Sequence, residues 1–489
     1  MLKKIVCMLI SVLLFLSVYG EGELNMQKVM EKLGTMEDEG QFSLIHEKID
    51  NWLEEKEWNP EQKEQLRWEK QRIRRIKRDY RFTREDLLEQ LQRRVKDFHT
   101  SELDEWTSDE KLTHRYIDGE IRYFYAAVSN MFFRNPEIYA RNIGFDRLNP
   151  HPEIVREITQ LPRFEHDYYV NPVQHSLHFD LEVTTPLIKG DIIEVWIPYP
   201  RAFPFQSQIQ TVSASSDLQL ISPADSPMRT AYFKKKYQQP GDEKFHIAFN
   251  YTSWARYREI CPNTVQSVDP MNPEYKYFLE ERSPHVEFHP EITGVVDRIV
   301  GGETNPYLKA RMIYDWMVDN FEYSFAPEYS TQRNISYETL KNRYGDCGQL
   351  TLLFMTMLRY AGIPARWQSG WVVYPHRRGL HDWSEIYIPP YGWLAVDVTV
   401  MTGLQSRNQD ENMDDDTLQG IRDFYFGNMH PYVFVANADH GRDFIPGKSD
   451  FRSDTVDSQR GEVQVNGKNI YYDGFSRTLT VLDSADKVE

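Results

Sequence analysis

Between residues 24 and 165 apolar side chains recur every three or four positions, the period of one helix face. In "TREDLLEQLQRRVKDF" (83–98) they fall at Leu87, Leu88, Leu91, Val95 and Phe98, with Thr83 as the N-cap and Asp86 three residues on. In "SDEKLTHRYIDGEIRYFYAAVSNMFF" (108–133) the spacing continues through Tyr116, Ile117, Ile121, Phe124, Tyr125 and Val128, and proline is sparse before Pro136. The pattern predicts an α-helical N-terminal domain over 21–165 with no strands. Near residue 172 the period changes to two. Leu177, Phe179, Leu181 and Val183 alternate with His178, Asp180 and Glu182, and "DIIEVWIPYP" and "KFHIAFNYTS" repeat the alternation between Pro-, Gly- and Ser-rich breaks. This predicts a β-sandwich-like domain over 166–264, with His175, His178 and His246 facing solvent or a neighbouring domain.

Residues 265–440 mix the two periods. "PYLKARMIYDWMVDNF" reads as a helix, and "ISYETLKNR" as a short one capped by Ser336. In "RYGDCGQLTLLFMTMLRYAGIPAR" (343–366) Leu350, Leu353, Phe354, Met357 and Leu358 form one stripe, which Gly362 and Pro364 terminate. Tyr344-Gly345-Asp346 does not suit a helix interior, so this buried helix starts at Asp346 or Cys347, with Asp346 as its cap. Strands follow at 366–374, 382–388 and 393–398. Helices followed by a small antiparallel sheet predict an α+β core. Residues 441–489 are polar and Gly-rich. They end in alternating runs about Asn466-Gly467-Lys468, a hairpin turn, and predict a small C-terminal β appendage.

Residues 1–20 stand apart. Lys3 and Lys4 precede "IVCMLISVLLFLSVY" and then Gly20, the layout of a secretory signal peptide. The apolar run is shorter than the ~20 residues a spanning helix needs, and no second run of spanning length follows. Cleavage after Gly20 removes Lys3 and Lys4 and takes the net charge from −17 to −19. So acidic a chain repels nucleic acid and anionic lipid, and neither is expected as a partner. The basic run 67–78 carries its own acids and an Ile73/Ile76 spacing, and reads as a solvated amphipathic helix. The acidic loop Asp410–Asp416 lacks the glycine and terminal glutamate of a helix-loop calcium site. No metal or cofactor is expected.

After cleavage only Cys261 and Cys347 remain, too few for a disulfide-stapled scaffold. Cys261, in "REICPN" at the seam between β-domain and core, is expected to be structural and unpaired. Cys347 falls in the first turn of a helix, where unpaired N–H groups and the helix dipole favour thiolate and suit an oxyanion. Gly345 and Gly348 are expected to leave room for a substrate backbone. A thiol nucleophile needs a base, and the base an orienter. His381, opening "HDWSEIYIPPYGWLAVDVT", is the best-placed base; His376, His430 and His440 lie in looser polar contexts. If the turn between the two strands leaves an odd number of residues unpaired, Asp397 falls opposite Trp383 and diagonal to His381, on the same face. An even loop would put them on opposite faces. Asp382 points away from His381 in any strand and is a poor orienter.

These residues carry a resemblance. "YGDCGQLTLLFMTMLRYAGIPARWQSGW" followed by "HDWSEIYIPPYGWLAVDVT" resembles the core of the transglutaminase-like superfamily: a helix-start cysteine, a helix ending in Gly-Ile-Pro-Ala-Arg, a strand-start histidine followed by an aromatic residue and Glu, and a Gly-Trp strand ending in Asp. The resemblance implies a papain-like α+β core and a Cys347–His381–Asp397 triad. The glutamine that papain-like enzymes place before the cysteine has Lys341 and Asn342 in its neighbourhood here, and Trp316 and Trp371 are the alternative oxyanion donors. The animal enzymes' calcium sites find no matching residues. The expected protein is a secreted or periplasmic, bacterial-type peptidase, amidase or acyltransferase. Its expected partners are peptides or proteins, cell-wall peptides among them. Two rivals remain: a secreted binding or scaffold protein that keeps the fold without catalysis, and a metal-dependent hydrolase using His376, His381 and Asp397, which no metal-ligand spacing supports.

Overall fold

The computed structural model describes residues 26–144, 150–161, 168–375, 377–406 and 413–482. The expected signal peptide, His376 and residues 410–412 of the acidic loop lie outside the described residues. The chain divides into two compact units, one of residues 1–89 and 112–127, the other of residues 90–111 and 128–489.

In the first unit, helices Met26–Asp38, Phe42–Glu55 and Pro60–Asp79 bury Val29, Leu33, Phe42, Ile45, Ile49 and Leu66 against one another. The third opens at Asn59, whose side chain accepts from Gln62 N while Gln62 reaches back to Asn59 N. The basic run lies on this helix. Ile73 and Ile76 enter the core as their spacing predicts, but Arg72 and Arg75 are buried as well rather than solvated. Arg72 is held between Glu69 and Glu37, so its charge is compensated inside the fold. The unit also contains a hairpin, β1 (His114–Ile117) and β2 (Glu120–Tyr123), turning at Asp118-Gly119. The prediction of an all-helical segment fails there. Strands of four residues are too short for a two-residue period to stand out from Tyr116, Ile117 and Ile121, which fit helix spacing equally well.

The second unit holds the β-domain and the core. The β-domain contributes β3 (Tyr169–Val183), β4 (Ile192–Pro198), β5 (Gln206–Ala214), β6 (Leu218–Ile221), β7 (Thr230–Lys236) and β8 (Lys244–Arg256). The core adds a short parallel pair, β9 (Glu322–Tyr323) with β10 (Tyr344–Gly345). Its antiparallel sheet is built from β11 (Ala365–Tyr374), β12 (Arg377–Ile388), β13 (Gly392–Val396), β14 (Phe426–Gly427) and β15 (Val433–Asn437), in the order β14-β13-β12-β11-β15. These strands agree with the alternation read from the sequence. The architecture is multidomain α+β.

The C-terminal strands β16 (Glu462–Val465), β17 (Lys468–Ile470) and β18 (Phe475–Val481) turn at Asn466-Gly467, both at positive φ. They pair into the β-domain instead of resting on the core alone: β16 runs along β4, and β18 along β3. The two sheets are therefore β17-β16-β4-β7-β6 and β18-β3-β8-β5. Leu177, Phe179, Val195, Phe233, Phe249 and Leu479 fill the apolar layer they share.

The helix Cys347–Tyr360 is buried at every position but Tyr360. The shorter helix before it, Ile335–Asn342, is capped by Asn334 and not by Ser336. Asn334 has extended backbone and accepts from Tyr337 N, whereas Ser336 Oγ donates to His285 O inside the fold. Between β11 and β15 the register shifts at Ser369/Gly370, and a Cβ at Gly370 would lie 1.8 Å from Phe434 O. Gly370→Ala is expected to destabilise the protein by more than about 2 kcal/mol in thermal unfolding, by forcing the two backbones apart. Gly379→Ala, whose Cβ would meet only Val372 Cγ2 at 3.7 Å, is expected to change stability little.

Candidate active site

Cys347 is the first residue of its helix. The Asp346 side chain accepts from Gln349 N at 3.0 Å, and Gln349 Oε1 accepts from Asp346 N at 3.3 Å, so the helix start is capped reciprocally as the sequence predicts. The flanking glycines serve a different purpose from the one expected. A Cβ at Gly348 would lie 2.1 Å from Tyr329 Oη, and one at Gly345 would lie 2.9 Å from Gln349. The space they leave is already filled, by Tyr329 and Gln349, and is not open to a substrate backbone.

The helix start meets the edge of β12. Between β12 and β13 the pairing runs from Ile388↔Gly392 to Ser384↔Val396 and stops there. Pro389, Pro390 and Tyr391 are unpaired, an odd number, so Asp397 comes opposite Trp383 and on the face of His381. Beyond Ser384 the edge of β12 is free of β13. There the Asp382 backbone N–H faces the Cys347 sulfur, and the Asp382 carbonyl accepts from Thr351 Oγ1 at 3.4 Å.

Side chains 381 and 382 leave the strand on opposite sides of that edge. His381 Nε2 donates to Asp397 Oδ2 at 2.6 Å, and Asp397 Oδ1 accepts from Thr399 N at 2.9 Å and Thr399 Oγ1 at 2.7 Å. The His381 ring stands 5.6 Å from that of Trp383. Asp382 points away from His381, as expected. It also does what the sequence did not suggest: its Oδ2 accepts from the Cys347 S–H at 3.1 Å. The three candidate residues thus form a bonded His381–Asp397 pair and a thiol paired with Asp382. Among the described residues no hydrogen bond joins Cys347 to His381.

The thiol's surroundings are acidic. Burial, then the neighbouring Asp382 and Asp346 carboxyls, push the Cys347 thiol well above its ordinary range. The lowering expected from the helix start is overturned, because a desolvated thiolate would face two carboxyls. Burial together with Asp457 and Asp346 raises Asp382 far above the carboxylate range. Burial and Asp454 raise Asp457 to about 7, and burial raises Asp346 to about 6. Asp382, Asp457 and Asp346 are all buried together, and such crowding of carboxyls favours their protonated forms. Asp397 goes the other way. Its burial is outweighed by His381 and by bonds from His381 and Thr399, and it is held below the usual range.

The segment 454–459 comes from the C-terminal part of the chain to close this ring. Gln459 Nε2 donates to His381 O at 2.8 Å and to Asp382 Oδ1 at 2.5 Å, and Gln459 O accepts from Trp371 Nε1 at 2.9 Å. Tyr329 Oη donates to Asp346 Oδ1 at 2.9 Å and lies 3.3 Å from Asp382 Oδ2. Tyr329, Asp457 and Gln459 were not found by reading the sequence. They lie in a short 3₁₀ turn and an irregular loop, where no period singles out a residue. Of the expected oxyanion donors, Trp371 is committed to Gln459, and Trp316 packs against Phe321 at 5.5 Å and Arg343 at 5.0 Å.

The other histidines are not in loose polar contexts. His430 is buried, bonded to Tyr374 Oη at 2.9 Å and accepting from Tyr432 N at 3.1 Å. His440 is also buried, and burial lowers both far below the ordinary imidazole range. His175 is buried with Nε2 3.0 Å from Pro431 O, facing the core, while the rings of His178 and His246 stack at 5.4 Å. Cys261 is free but exposed, so it does not supply the small apolar packing expected of it. Among the described residues no group of three or more His, Cys, Asp or Glu is arranged to hold a metal ion, and no helix is long and apolar enough to cross a membrane.

Comparison with known proteins bears on this site. Residues 293–398, which include Cys347, His381 and Asp397, match the family model described as the transglutaminase-like superfamily. An uncharacterised protein of Haemophilus influenzae is 26% identical over 204 residues, 36% of this chain and 54% of the relative, so the chain spans about half the length of that relative. Among solved structures, a candidate cysteine protease from Cytophaga hutchinsonii is similar at 15% identity and a TM-score of 0.39, over 65% of this chain and 93% of the other. The periplasmic domain of TgpA from Pseudomonas aeruginosa gives 17% identity and a TM-score of 0.26, over 51% and 94%.

The raised carboxyls make stability depend on pH with a definite sign. In the folded state Asp457 keeps its proton up to about pH 7 and Asp346 up to about pH 6, whereas the unfolded chain loses both near pH 4. The stability they contribute is therefore full at low pH and is lost as pH rises through about 7. Asp457→Asn should raise the melting temperature at pH 8, by the equivalent of about 1–3 kcal/mol, and change it little at pH 4. An equal shift at both pH values would show that the effect is not electrostatic.

Proposed function

With a transglutaminase-like core over residues 293–398 as the premise, we propose that this protein is a thiol-dependent hydrolase or acyltransferase acting on amide bonds of peptides or proteins, with Cys347, His381 and Asp397 as its triad. The observation that carries this reading is the 2.6 Å bond from His381 Nε2 to a buried Asp397, on the strand whose free edge receives the Cys347 thiol. With Nε2 committed, Nδ1 is the atom that takes the thiol proton. The sulfur then adds to the amide carbonyl. As the tetrahedral adduct collapses, the C–N bond breaks and the leaving amine takes the proton from His381. Water then adds to the thioester and yields a carboxylic acid, or an amine adds and yields a new amide; either way the thiol is regenerated. Asp397 positions the imidazole and stabilises its protonated form.

The first step requires the thiol to leave Asp382. Asp382 opposes thiolate together with burial and Asp346, and it opposes the charge less when it is protonated. The basic, apolar start of the chain supports action outside the cytoplasm, secreted or periplasmic, with peptides, including those of cell walls, as substrates. A second reading has its own support. Cys347 is only 7% exposed and its S–H is tied to a carboxyl, which suits a binding or scaffold protein that retains the fold without catalysis.

Labelling by a thiol-directed acyl probe separates the two. The catalytic reading expects labelling of the wild type, none in Cys347→Ala, and products that change when an amine is added. A folded wild type that never labels leaves the scaffold reading. The rate is expected to be bell-shaped in pH. His381→Ala should lose nearly all turnover, and it should also lower the melting temperature because the buried Asp397 carboxylate loses its imidazole partner. Asp397→Asn should lose roughly ten- to a thousand-fold, less than a hydroxyl nucleophile would, because a thiol leans less on its base. Asp382→Asn is expected to speed alkylation of Cys347 at pH 7 by roughly tenfold, since it removes the carboxyl that holds and opposes the thiolate. An unchanged alkylation rate would remove Asp382 from control of the thiol.

A further inference from the structure

A second cavity of about 350 Å³ opens where the β-domain meets the core, and its walls share no residue with the Cys347 site. Three guanidinium groups line it: Arg256 at the end of β8, Arg258 just after it, and Arg366 on β11. A single carboxylate, Glu385 on β12, opposes them. Glu385 Oε1 accepts from Arg256 Nη1 at 2.7 Å, and Oε2 accepts from Arg366 Nε and Nη2, both at 2.7 Å. Among the described lining residues, three positive charges face one negative charge.

Arg256 is the informative residue. It is 1% exposed, yet its Nε and Nη2 have no hydrogen-bond partner among the described residues. Buried guanidinium donors left unmet are costly, and such groups are ordinarily satisfied by a partner. Arg258 donates Nη1 only to Tyr391 O, at 3.2 Å, and its backbone N–H to Asn428 Oδ1. Each guanidinium also lies over an aromatic ring: Arg256 over Phe205 at 4.0 Å, Arg366 over Trp393 at 4.0 Å, Arg258 over Tyr168 at 5.0 Å. Phe203 stacks on Phe205 at 4.6 Å. The cavity therefore combines a fork of planar donors, suited to two-pronged contact with an oxyanion, with flat apolar walls.

We infer that this cavity binds a small organic anion: a carboxylate or phosphate head held by Arg256 and Arg258, carried on a flat apolar body seated against Trp393, Tyr391 and Phe203. The site stands independently of the thiol chemistry. Isothermal titration of the full chain at low salt with phenyl phosphate, benzoate and inorganic phosphate tests it. Saturable binding of at least one aryl anion is expected, and whichever of phenyl phosphate and benzoate binds more tightly identifies the head group. Arg258→Gln, at a half-buried position, should weaken it at least tenfold while circular dichroism and melting temperature stay near wild type. Trp393→Leu should weaken the aryl anions and leave inorganic phosphate unaffected. Cys347→Ala should bind as wild type does. No binding by any of the three probes overturns the inference. Undiminished binding in Arg258→Gln, or binding lost in a folded Cys347→Ala, overturns it equally, and neither result bears on the triad.

Discussion

The site depends on one stretch of unpaired strand edge. β13 stops at Val396, so Asp382 on β12 is left with backbone groups facing outward, and the first turn of the Cys347 helix takes them. A buried N–H or carbonyl must find a partner, so a strand edge left open inside a fold specifies what docks on it. Here the sulfur and Thr351 are the partners. The same truncation sets the end of β13 where Asp397 can turn back to His381. Had β13 run two residues further, its own backbone would have covered the edge that the thiol occupies.

Much of this was legible in the sequence. The stripe Leu350, Leu353, Phe354, Met357 and Leu358 marks the helix, Asp346 and Gln349 mark its start, and alternation about Pro389–Gly392 marks the hairpin. The parity of that turn decides which face Asp397 takes, and the unpaired Pro389, Pro390 and Tyr391 put it beside His381. These are local signals, set by the period of one element and the length of one turn. The acidic ring is not local. The alternation of the strand turns Asp382 away from His381, and nothing in a strand pattern shows that a helix start will abut its edge. The cap position was legible where the side chain bonds its own helix, as at Asp346, and illegible where a hydroxyl such as that of Ser336 is drawn into a tertiary contact.

Charge is handled in two ways within one small volume. Around His381 the carboxylate is compensated: Asp397 keeps its charge because an imidazole and Thr399 bond it. Around Cys347 the carboxyls are crowded and buried, so they retain protons and the thiol stays a thiol. Two neighbouring residues of one strand, 381 and 382, sit on either side of this divide. An imidazole poised beside a retained negative charge and a thiol held neutral beside acids are separated by a strand's alternation and little else.

The arrival of Gln459 from 77 residues beyond Asp382 has a consequence for how the protein is made. The helix and the hairpin close through short-range contacts, which form early, whereas the ring around the thiol waits for a distant loop and for strands that must cross to the β-domain. During that interval Cys347 is flanked by fewer acids and more water than in the finished molecule. The thiol is then more easily oxidised or alkylated than at any later time, so the chain passes its most vulnerable moment before its last strands are in place.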